Sequence, residues 1–82
     1  MERYSEALRR YAEELAQHHQ AYGADEFERL LQSMLQATIR HHGLETMERM
    51  SEDTVLKVLR SQVSEVIRLK RLPKLMSRQA QI

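Results

Sequence analysis

Three groups of side chains in this sequence could do chemistry: two histidine pairs, three tyrosines and a run of cations late in the chain. His18-His19 and His41-His42 carry the imidazoles that metal binding or proton transfer would use. Each pair falls near the end of a helical pattern, where an imidazolium interacts favourably with exposed carbonyls. In an antiparallel hairpin the pairs stand at opposite ends, roughly 30 Å apart, so they cannot share one intrachain metal site. Adjacent helical residues also diverge by about 100°, which is poor for chelation. The chain has neither HExxH nor the ExxH of a carboxylate-bridged di-iron centre. Glu14 and His18 are at most half a site, which a second copy would have to complete. The expectation is no metal and no cofactor.

Catalysis fares no better. There is no cysteine, no G-x-S-x-G and no glycine-rich loop, because Gly23 and Gly43 both fall where helices end. Tyr4, Tyr11 and Tyr22 could hydrogen-bond a ligand, but they recur with Leu8, Leu15 and His18 at spacings of 4, 3, 4, 3 and 4. That is a narrow heptad seam, on which tyrosines pack and send the hydroxyl to the rim. The chain reads as non-enzymatic. Tyr4, Leu8, Tyr11, Leu15 and Tyr22 read as a seam for one neighbour, with a second copy as the candidate.

The cations are the sharpest feature. Wound as a helix, Ser51 to Pro73 gathers Lys57, Arg60, Arg68 and Arg71 with Ser61 and Ser64 inside about 100° of arc. Val55, Leu59, Val63 and Val66 fall on the opposite side. Lys57 to Arg71 would span about 21 Å. Lys74 continues the charge into the tail, and Glu65 is the only acid after Asp53. The net charge of +1 hides an imbalance: residues 1–53 carry −5 and residues 54–82 carry +6. Such asymmetry points to an anionic partner, or to attraction between the halves within a chain or across a dimer. Arginine outnumbers lysine on the stripe, which suits bidentate contacts to carboxylate or phosphate.

No aromatic residue is interleaved to stack bases, which weakens single-strand binding. A groove-reading helix that began LETMERMSED would set its acids against phosphate. The apolar back has no bulky aromatics for a membrane surface. The stripe therefore reads as a docking face for an acidic protein, through Lys57, Arg60, Arg68, Arg71 and Lys74. The competing plain reading is a solvated face. The alternatives are a nucleic-acid-binding accessory protein and a structural subunit of a helical assembly.

The elements that must position these residues are helical throughout. A first helix is expected over about 3–22, with Gly23 in the left-handed position that ends many helices. Asp25 is then a candidate N-cap with Glu28 at N3, opening a second helix over about 26–42. Phe27, Leu30, Leu31, Met34, Leu35, Thr38 and Ile39 cover about half of that helix, so it needs two neighbours. Gly43 should stop it, with Leu44 making the accompanying apolar contact. Leu44 to Met50 fits a short helical turn with Leu44, Met47 and Met50 inward; Met47 and Met50 are also a candidate exposed contact. Ser51 caps a third helix over about 52–72, which Pro73 should end. No strand pattern competes.

The expected fold is all-α: a small three-helix antiparallel bundle completed by dimerisation. Its domain covers 1–73, followed by a basic, flexible tail over 74–82. At 82 residues the chain makes one domain and buries only about 60–65% of its unfolded surface, so a partner subunit is the stabilising device left. The absence of cysteine fits a reducing compartment. No apolar run approaches the roughly 18 residues of a membrane span. MERYSEALRR is not a signal peptide. The expected location is cytoplasmic.

Overall fold

Each amphipathic stretch winds where its apolar residues repeat. The computed structural model describes residues 4–75. Among these there is no strand, and the helices are α1 (Ser5–His18), α2 (Ala24–His42), α3 (Leu44–Arg49) and α4 (Glu52–Arg68). A further helical turn begins at Leu72. The expected first residue of helix 1, Arg3, and the tail beyond Leu75, Met76 included, lie outside the described residues.

α1 ends four residues earlier than the periodicity predicts. His19 donates its backbone N–H to the Leu15 carbonyl at 2.8 Å and leaves helical geometry. The turn that follows sets the Tyr22 ring edge-on to Phe27 at 5.8 Å. Gly23 is not the left-handed end of α1. It is extended, with φ −85°, and caps the start of α2. Glu26, three residues on, accepts the Gly23 N–H at 3.3 Å, so Glu26 fills the place expected of Glu28. Asp25 is therefore not the cap.

α2 ends at Gly43, whose φ of +87° is one that glycine tolerates and other residues avoid. Leu44 does not make the expected inward contact and is 54% exposed. The Met47 N–H already bonds the Gly43 carbonyl at 3.1 Å, so α3 starts at once and Met47, fully buried, takes the core position. The Tyr4 hydroxyl donates to the Met47 carbonyl at 3.0 Å and ties α3 to the start of α1. Met50 packs partly against the same core.

Ser51 caps α4 as expected, accepting the Thr54 N–H at 3.2 Å. The other end departs from expectation: α4 stops at Arg68 and Pro73 does not end it. The sequence explains why. On a continued helix Lys70 would point at about 220° from Lys57, into the valine back, and Leu72 at about 60°, onto the polar front. Burying an unpaired ammonium costs several kcal/mol, and exposing a leucine forfeits roughly 1.5–3 kcal/mol. Instead Lys70 adopts φ +57°, at a cost of about 1–2 kcal/mol. The Arg71 N–H reaches the Val66 carbonyl at 2.9 Å and the Lys70 N–H reaches Ile67 at 3.0 Å, the paired bonds of a Schellman stop. Lys70 then faces solvent and Leu72 is buried. Pro73 falls in the first turn of the next helical segment, where a missing N–H costs little.

Leu8, Phe27, Leu31, Leu35, Met47 and Leu59 form the fully buried centre, enclosed by α1, α2 and α4 with α3 closing one end. Tyr4, Tyr11 and Leu15 are buried there as well. The seam expected to face a second copy is spent on the chain's own core, and Tyr22 is half-buried against Phe27. The radius of gyration is 12.4 Å.

Because glycine carries no penalty at positive φ, Lys70→Gly should raise unfolding stability by about 0.5–1 kcal/mol, less the glycine's own entropy cost. A urea melt checks it. A loss of stability would mean that the Lys70 side chain, not the turn, sets the end of α4.

Candidate functional site

Two surfaces on α4 gather charged residues: a groove against α1, and the turn after Arg68. The groove forms because Glu14 of α1 meets Arg60 of α4 at 3.6 Å. Earlier residues of both helices, among them Glu6, Arg10, Asp53 and Leu56, line the same space. Its volume is about 430 Å³. Tyr11 forms the floor, with the Arg60 guanidinium 5.0 Å above its ring centre. Burial pushes the Tyr11 hydroxyl's pKa up, and the Arg60 cation pulls the other way. It stays a neutral phenol at physiological pH, a hydrogen-bonding group rather than a base. Arg10 pairs with Glu6 at 2.8 Å. The groove's two guanidiniums are thus already matched to carboxylates of α1, and no nucleophile faces a base.

This geometry divides the expected docking residues. Arg60 lies over Tyr11 and Glu14, and Arg68 is bound by both oxygens of Glu65. Lys57 is exposed on the middle of α4. Arg71 and Lys74 are not on that helix at all, because the chain reverses at Lys70. A continuous stripe of 21 Å is therefore replaced by a basic end: Arg68, Lys70, Arg71 and Lys74 flank Leu69, which is 41% exposed. Among the described residues, no carboxylate lies within ion-pair distance of Lys57, Lys70, Arg71 or Lys74.

Sequence reasoning missed Leu69 and Lys70. The available signal was Lys70 itself, a cation that a continued helix would have driven into its apolar back. Leu56, Val58 and Ile67, half-buried on the flanks of α4, also widen its apolar arc beyond the four valine and leucine positions singled out.

The histidine pairs lie apart. His19 packs against Phe27, with ring centres 6.1 Å apart, and His41 stands edge-on to His42 at 4.8 Å. No group of three or more His, Cys, Asp or Glu among the described residues could hold a metal ion. No helix among them is long and apolar enough to cross a membrane. No family model matches the chain, and neither does any curated protein or solved structure.

The clearest electrostatic tie lies on the other face, where Arg9 bridges Asp25 at 2.6 Å and Glu28 at 2.7 Å. The Arg9 guanidinium holds the Asp25 carboxyl below its ordinary pKa. A carboxylate depressed in the folded state adds stability above its unfolded pKa and loses it as pH falls through the folded value. Arg9→Gln should therefore be less stable than the native chain at neutral pH, with the gap closing as pH drops through the acid range. Thermal melts across that range check it; a gap independent of pH would remove the ion pair as its cause.

Proposed function

We propose that the chain is a non-enzymatic regulator or adaptor that binds an acidic protein surface through the basic end of α4. The observation that carries this reading is Leu69, exposed among Arg68, Lys70, Arg71 and Lys74 on a turn pinned by backbone hydrogen bonds. Charge steers an acidic partner to such a surface and sets its register, and the leucine offers apolar area to bury. The bland account is that cations at a helix C-terminus simply suit the dipole. It covers Arg68 and Lys70. It does not cover Arg71 and Lys74, which lie beyond the end of α4.

The frame that presents this end is read as an up-down-up bundle of α1, α2 and α4. A second copy of the chain has the right chemistry to be a partner too, since residues 1–53 carry −5.

The test is capture from a nuclease-treated extract, comparing the native chain with Arg68→Glu/Arg71→Glu/Lys74→Glu. The native chain should retain an acidic protein that elutes as salt rises, and the variant, with unchanged circular dichroism, should not. Equal capture by both would overturn the site. Capture that vanishes on nuclease treatment would favour nucleic acid as the ligand. Lys70→Gly, which keeps the turn, should weaken the bound complex by about two- to fivefold, the range of one exposed charge.

A further inference from the structure

We infer that the basic end of α4 docks on the acidic end of α4 in a second copy, giving a closed antiparallel dimer. This rests on the reading of the basic end as a docking surface and names one partner for it. The two ends are matched. Residues 44–53 carry Glu45, Glu48, Glu52 and Asp53 against Arg49, a net −3. Residues 65–75 carry Arg68, Lys70, Arg71 and Lys74 against Glu65, which binds Arg68, a net +3.

These segments sit at opposite ends of the 17-residue α4. α4 itself is about 25 Å long in a molecule 35 Å long. Each holds one exposed large apolar side chain, Leu44 at the acidic end and Leu69 at the basic end. Among the described residues these are the two exposed large hydrophobics.

A two-fold axis through the exposed middle of α4 brings each acidic end against the partner's basic end, twice, and closes. A head-to-tail contact would leave one end of each kind unmatched and would go on growing. The middle of α4 is compatible with close approach. Ser61 and Ser64 are small and exposed there; of the two neighbouring cations, Arg60 is drawn aside over Tyr11 and Glu14 of its own chain, and Lys57 is exposed beside the serines. The contact is mainly electrostatic, so it weakens as salt shortens the screening length. It also covers the cations that any other acidic partner needs, so self-association and partner binding exclude one another.

The experiment uses the purified chain alone, by sedimentation velocity from micromolar to millimolar concentration at low and high salt. The expected result is a mass that doubles with concentration at low salt, goes no higher, and returns to one chain at high salt. Glu52→Lys/Asp53→Lys and Lys70→Glu/Arg71→Glu should each stay monomeric. Mixed together they should form a heterodimer, because both contacts are then restored. The mixture also serves as the folding control, since an unfolded variant could not rescue its complement. Ser61→Trp, on an exposed position, should block the dimer without changing the circular dichroism. A monomer at every low-salt concentration, or failure of the charge-swapped pair to combine, overturns the proposal. Growth beyond two chains overturns the two-fold geometry. None of these outcomes touches the capture experiment, which is done at dilution where the chain is a single copy.

Discussion

The constraint on which the end of this structure depends is that Lys70 and Leu72 cannot both follow α4. Continued helix would send the ammonium into the valine back and the leucine into water. One residue in the left-handed region resolves both problems at a cost smaller than either. From that turn the rest of the end follows: Leu72 joins the core, Pro73 finds a position that needs no N–H, and Leu69 is left outside among cations. The feature that reads as a working surface is thus a by-product of a packing decision made two residues away.

The remaining polar contacts sit at the rims of the core and fix how the helices face each other. The Gln62 side chain donates to the Thr38 hydroxyl at 3.3 Å, and Thr38 itself bonds the Met34 carbonyl, so a buried polar residue is satisfied between α2 and α4. Arg9 joins α1 to the first turn of α2, and Arg60 joins α4 to α1. Exposed ion pairs of this kind contribute little each. Their effect is to withdraw particular charges from the surface. Arg60 is lost to a partner in this way, whereas Lys57, Lys70, Arg71 and Lys74 are not.

Much of the fold was legible because its signal is periodic. The 3–4 spacing of α1, the wide apolar arc of α2 and the Ser51 cap of α4 are all properties of a helix considered alone. What was not legible depends on neighbours. Whether the Tyr4, Leu8, Tyr11, Leu15 seam meets a second copy or α2 is a question of tertiary space, and a heptad looks the same in either case. Gly23 could have ended α1 or begun α2, because its freedom suits both. The docking residues were legible as a composition but not as a geometry: assigning Arg71 to the same face as Lys57 assumed a straight helix across Lys70. The charge of Lys70 on an apolar face was the one sign that the assumption failed.

The destination of the seam also bears on what the charge asymmetry does. A short chain with a small stability margin would benefit from a partner that buries apolar surface. That role is closed to the seam, which is already inside. The surface left for association is polar, with one exposed leucine at the start of α3 and one at the end of α4, and a contact made largely of screened charges adds little to folding. The imbalance between the acidic first part and the basic last part is therefore poorly explained as a folding device. It is better suited to a reversible contact whose strength depends on ionic conditions and on which acidic surface arrives first.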